Sequence, residues 1–164
     1  MTADGETRAI AALDAAGVDY TVARHGRVAS LAEAAAARGI APAGIVKTIV
    51  VRRADDDYLF VLVPGDRTIS WPKLRALLGV SRLSMPDAAT AKAVTGYERG
   101  TITPFGALTA WPVIADERVP GHPASIGAGA HGVSATLDGT ALTTTLNAAI
   151  ADVTDPESTT PPNS

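Results

Sequence analysis

Two apolar runs, Val46-Lys47-Thr48-Ile49-Val50-Val51 and Tyr58-Leu59-Phe60-Val61-Leu62-Val63, are parted by Asp55-Asp56-Asp57. Consecutive apolar and β-branched positions of this length fit strands buried on both faces. So short a polar link between two extended segments favours an antiparallel hairpin. Any sheet holding this hairpin must therefore be covered on both sides. Lys47 is the exception inside it: a buried ammonium must find a partner, shift its pKa or open onto a cleft. It projects to the same face as Ile49 and Val51, so a pocket on that face would have the lysine at its rim beside the Thr48 backbone. An ion pair with a neighbouring acid, or snorkelling at the start of the strand, is the alternative.

The flanking segments supply the covering layers. Ala9, Ile10, Leu13 and Ala16 recur at helical spacing over 6–16, with Gly17 as a stop, and Val18, Tyr20 and Val22 alternate on one face of a short strand ending at Arg24. Ser30-Leu31-Ala32-Glu33 fits a capping box opening a second helix that ends at Gly39, and Pro42 to Gly44 form a turn. Ser70 caps a helix with Pro72 in its first turn and Gly79 at its end; Ala88 to Val94 reads as another helix. Three glycines and a proline make 96–106 an ordered loop, with an extended piece at 82–84 and strands at 112–115, 124–126 and 133–137. Leu142, Leu146 and Ile150, spaced by four, predict a closing helix over 140–150. This order implies an α+β (mixed α/β) fold with a mixed, mostly antiparallel central sheet covered by helices.

Composition narrows the class. At 164 residues, 46% of them hydrophobic, the chain suffices for one core, so a single domain over 1–151 is expected. The proline-rich polar segment 152–164 is expected to be a disordered tail. Cysteine is absent, which removes disulfides and thiolate metal sites. No apolar run nears the roughly 20 residues of a membrane span, and Met1 to Glu6 is acidic where a signal peptide is basic. A soluble cytoplasmic protein is the expectation. A net charge of −3 argues against broad, sequence-independent nucleic-acid binding, though not against contact with one RNA end.

Several familiar chemistries lack their signatures. Gly127-Ala128-Gly129-Ala130-His131-Gly132 has dinucleotide spacing, but it joins two strands, whereas phosphate binding of that type needs a helix N-terminus. It reads as a hairpin turn, or as a glycine-lined wall that lets a ligand approach the backbone. His25, His122 and His131 show no paired helical spacing, so no metal or cofactor is expected. Ser30 and Ser70 read as caps, and no nucleophile elbow occurs. The loop Gly96-Tyr97-Glu98-Arg99-Gly100-Thr101-Ile102-Thr103-Pro104-Phe105-Gly106 can point amides into a cleft, or simply connect two elements.

Lys47-Thr48 at the head of a hydrophobic strand, followed by Thr95-Gly96-Tyr97, Gly100 and Thr103-Pro104-Phe105-Gly106, resembles the YbaK family, the domain related to the editing insertion of bacterial prolyl-tRNA synthetases. The helices and strand before the lysine, the helix end at Leu74 to Gly79, the His131-Gly132 turn and the Leu142 helix occur in the matching order, so the likeness covers 6–150. The resemblance implies a trans-acting aminoacyl-tRNA deacylase that hydrolyses the ester of a mischarged tRNA, with a prolyl-tRNA synthetase as a partner. By that resemblance Lys47 lies beside the terminal adenosine, amides of Gly100, Thr101, Ile102, Thr103 and Pro104's loop polarise the ester carbonyl, and water or a ribose hydroxyl is the nucleophile. Lys47 and Gly100 are the implied catalytic positions. Tyr20, Thr48, Thr101, Ile102, Thr103, Pro104, Gly129, His131 and Ser134 are the implied substrate-binding ones, with a place in the core as the other reading of Tyr20. Several relatives carry serine-glycine-glycine and then arginine where this chain has Gly127-Ala128-Gly129 and His131, and aspartate in place of Ser134, which leaves the amino acid removed open. A module that binds a tRNA end, nucleotide or small acyl ligand without turnover, or an esterase indifferent to nucleic acid, are the competing readings.

Overall fold

The computed structural model describes residues 2–24 and 31–157. Helix α1 (Thr2–Ala16) leads through Gly17, at φ 73°, to strand β1 (Thr21–Arg24), shorter than the 18–24 expected because only its last four residues find a partner strand. Helix α2 (Leu31–Arg38) and a 3-10 turn (Pro42–Gly44) precede β2 (Val46–Ala54), which hairpins into β3 (Asp57–Pro64). Asp56 takes the left-handed conformation, φ 56°, that so tight a link requires. Strand β4 (Arg67–Ile69) is followed by α3 (Trp71–Leu78), capped by Ser70, and α4 (Ala88–Thr95), capped by Asp87. Then come β5 (Val113–Asp116), β6 (Pro123–Gly127), β7 (Val133–Asp138), α5 (Gly139–Thr145), β8 (Ala149–Ala151) and β9 (Thr154–Pro156). His25 and the Ser30 capping box lie outside the described residues.

The sheets run β1-β7-β6, β2-β3-β5-β8 and β4-β9, antiparallel except at β3-β5 and β5-β8. That is the mixed, mostly antiparallel α+β architecture expected. Strand β3 shows why its sequence is apolar at every position. Phe60 and Leu62 enter a core with Leu13 of α1, Ile126 and Leu142, while Leu59, Val61 and Val63 enter a second one with Leu74 of α3 and Val153. A parallel bridge between Ile45 and Ser125 joins the two larger sheets.

Two expectations fail near the C-terminus. The helix predicted over 140–150 ends at Thr145; Asn147 turns left-handed at φ 53°, and Ile150, 47% exposed, sits in β8 beside β5. Three successive β-branched threonines at 143–145 weaken the helix, and the open edge of β5 offers backbone partners in its place. The tail expected to be disordered from 152 is ordered through Glu157. Val153 is buried, and β9 pairs with β4. The buried Asp116 carboxylate accepts from the Val153 amide (3.1 Å) and the Thr154 hydroxyl (2.8 Å), so this polar segment is held by specific partners rather than by apolar area.

Candidate active site

Strand alternation fixes which residues share a face. In β6 and β7, Ala124, Ile126, Ala135 and Leu137 turn into the first core, leaving Ser125, Gly127, Ser134 and Thr136 on the outer face. The Ile45–Ser125 bridge carries this face onto β2, where Ile45 and Lys47 continue it while Val46 and Val50 point to the core. Lys47 lies two residues along β2 from this bridge, on the same face of the strand as Ile45. Its ammonium donates to the Arg67 carbonyl at 2.8 Å.

The 96–106 loop reaches that face at Gly127. A Cβ there would stand 3.3 Å from the Thr101 carbonyl oxygen and 3.2 Å from that of Ile102, so the missing side chain is what lets the loop lie over the strand. The Gly129 amide donates to the Thr101 carbonyl at 3.0 Å, and Gly100, at φ 93°, brings the exposed crest of the loop beside the His131 ring. His131 Nε2 lies 3.3 Å from Glu98. The loop is ordered from beneath. Tyr97 is buried and donates to the Phe105 carbonyl at 2.6 Å, and Arg8 of α1 crosses the Tyr97 ring at 4.7 Å while bonding the carbonyls of Gly96 and Gly106. Burial raises the Tyr97 pKa, keeping it a donor. Within the loop the Thr101 amide donates to Glu98 and the Phe105 amide to the Thr103 hydroxyl; among the described residues, the amides of Gly100, Ile102 and Thr103 have no acceptor.

Of the residues singled out in the sequence, Gly100, Thr101, Gly129 and His131 come together where the loop meets the end of β6, and Lys47 and Ser134 lie on the outer face of their strands. Ile102 is buried in the first core and Thr103 is buried beneath the loop, so they contribute main chain rather than side chain, with half-buried Pro104 following. The Thr48 side chain points inward, its hydroxyl buried without a partner among the described residues. Tyr20 is not brought to the site. It lies just before β1 and packs, like Val22, against the first core, its hydroxyl donating to Asp14 of α1 at 2.5 Å.

The structure adds residues that sequence reading missed. Arg38, closing α2, donates to Ser125 Oγ at 3.2 Å; among the described residues its Nε is buried without a partner, as are the hydroxyls of Ser134 and Thr136 on the same face. Burial lowers the Arg38 pKa, and no carboxylate among the described residues pairs with it. Nothing in a helix-terminal arginine marks it in advance.

Prolyl-tRNA ligases match in part: 40% identity over 75 residues in Lactobacillus helveticus, 39% over 80 in Heliobacterium modesticaldum and 38% over 92 in Desulfovibrio desulfuricans, covering 46%, 49% and 56% of this chain. The chain spans only 13%, 14% and 16% of those ligases' lengths. Among solved structures, a candidate trans-editing enzyme for prolyl-tRNA synthetase superposes with a TM-score of 0.83 at 22% identity, covering 92% of this chain and 97% of that one, which is a likeness of fold. No helix among the described residues is long and apolar enough to cross a membrane. The aminoacyl-tRNA editing domain profile matches residues 25–145 of the 164, a span holding Lys47, the Gly100 loop and Ser134, and the chain belongs to that family.

Proposed function

We propose that this protein is a trans-acting deacylase that hydrolyses the ester of mischarged tRNA, a small amino acid on the tRNA for proline, alongside a prolyl-tRNA synthetase. What supports the reading is Lys47 on the outer face of β2 and, over the neighbouring strand β6, a loop whose Gly100, Ile102 and Thr103 amides find no acceptor among the described residues. Lys47 contacts the terminal adenosine. Water supplies the oxygen that bonds to the ester carbon, the bond to the ribose oxygen breaks, and the proton given up by water ends on that ribose oxygen. The carbonyl oxygen gains negative charge on the way, and loop amides aimed at it stabilise the transition state by a factor of roughly 10² to 10³ per donor. Such chemistry needs no protein nucleophile.

The test is release of amino acid from tRNA for proline bearing alanine, cysteine or serine. Parent protein should deacylate at least one, and Lys47→Ala should slow it by about tenfold or more, the value of one charge-assisted hydrogen bond. Saturable binding of an aminoacyl-adenosine analogue without cleavage would replace catalysis by simple binding.

A further inference from the structure

On the same outer face, a cleft of about 470 Å³ opens between the α2–β2 connection, the β3–β4 turn and the start of β6. Ile40, Ala43, Pro64 and Pro123 give it apolar walls; Arg67, Arg118 and His122 stand around them, with Asp66 at the rim. Arg118 is neutralised by Asp116 and Asp152. Arg67 is not: its guanidinium is held by the Thr154 hydroxyl and carbonyl, at 2.7 and 3.2 Å, with no ion pair among the described residues. Arg38, also without a carboxylate partner among the described residues, directly precedes the Gly39 and Ile40 wall. Thr136 lines the cleft and its hydroxyl is buried without a partner among the described residues. In a chain of net charge −3, uncompensated arginines beside an apolar slot and an unused hydroxyl fit a ligand that is flat and apolar on one side and anionic on the other. Arg67 also ties the cleft to the site already described, because its carbonyl accepts the Lys47 ammonium.

We propose that this cleft seats one unstacked nucleotide of the substrate strand, the one 5′ to the terminal adenosine, with its base against Ile40, Pro64 and Pro123 and its phosphate toward Arg67 and His122. The proposal rests on the editing reading for the identity of the strand. Single-stranded RNA ends are held in this way, by a platform for the base and cations for the backbone, and a volume of this size accommodates one nucleotide.

The experiment compares an amino acid esterified to adenosine alone with the same amino acid on the trinucleotide CCA. For the parent, kcat/KM on the CCA ester should exceed that on the adenosine ester by about tenfold or more, the scale of one stacked base. Ala43→Trp, at an exposed wall position, fills the slot and should bring this ratio close to one; His122→Ala should lower it by about threefold through the phosphate. Both variants are checked for unchanged thermal melting. A ratio near one in the parent, or one that neither variant moves, overturns the proposal. Should the parent cleave neither ester, the editing reading fails and binding of unesterified CCA decides the cleft alone: binding lost in Ala43→Trp supports it, and no binding overturns it. Equal binding of free cytidine monophosphate and CCA would assign the cleft to a free nucleotide and also overturn it.

Discussion

Lys47 makes one bond, to a main-chain carbonyl, and no carboxylate among the described residues claims its charge. A neutral carbonyl is a weak anchor for an ammonium, so folding gains little from the residue: a net hydrogen bond of about 0.5 to 1.5 kcal/mol, partly returned by the packing of the side chain's methylenes. Lys47→Met keeps those methylenes. It should therefore cost no more than about 1 kcal/mol in urea unfolding while lowering deacylation by about tenfold or more, and a stability loss above 3 kcal/mol with activity retained would make the lysine structural. This separation was legible in the sequence, because a lysine in a doubly buried strand is a local conflict that packing cannot explain. Tyr20 was not, because alternation tells which residues share a face but not which face meets the ligand. Arg38 and Thr136 stayed hidden for a related reason: their interest comes from a buried Nε and a buried hydroxyl that find no acceptor or donor among the described residues, and such an absence exists only in three dimensions.

At the level of elements, the 96–106 loop is the part whose geometry the chemistry depends on, and its order comes from below. Tyr97→Phe removes the donor to the Phe105 carbonyl while keeping the ring under Arg8. Leaving that carbonyl unpaired should cost about 1 to 3 kcal/mol in chemical denaturation. Loosened amides should lower kcat/KM by between about ten- and a hundredfold; lost stability with full activity would show that the bond does not position the loop. Strand β9 offers a pH test. The Asp152 pKa is lowered, first by its hydrogen bond to Lys73 and then by Arg118, both at 3.1 Å. A folded pKa below the unfolded value of about 3.9 means that the stabilisation is complete above that pH and disappears as pH falls through the lower, folded value. Amide exchange in 153–157, corrected for the intrinsic rate, should thus be pH-independent from 7 to about 4 and accelerate below, whereas Asp152→Asn should show no such step. Composition reads this segment as a tail because it counts apolar residues, whereas here Lys73, Arg118 and the buried Asp116 consume the polar groups one by one. The hairpin, the Ser70 cap and the Gly79 stop were legible because each is encoded within ten or so neighbouring residues, whereas the β5–β8 and β4–β9 pairings join distant segments.

Across the whole molecule, the β1-β7-β6 sheet gives one face to α1 and the first core and keeps Ser134, Thr136 and the cleft on the other; on β2 that second face carries Lys47 at its start and passes, at Val51, into the second core under α3. The net charge of −3 sets what that implies for tRNA. A broad basic surface would follow many phosphates, and its affinity would fall steeply with salt. On this face the arginines without a carboxylate partner among the described residues are Arg38 and Arg67, with Lys47 and His122 beside them. For single strands the slope of log affinity against log salt is about −0.7 per phosphate neutralised, so two contacts predict about −1.4, roughly a sevenfold loss from 50 to 200 mM salt. The KM for mischarged tRNA should follow that shallow line, with kcat unchanged, and Arg67→Gln should flatten it by about half. A slope of −4 or steeper would mean that the acceptor stem is gripped over a wide surface away from this face, and recognition would then have to be sought outside the cleft.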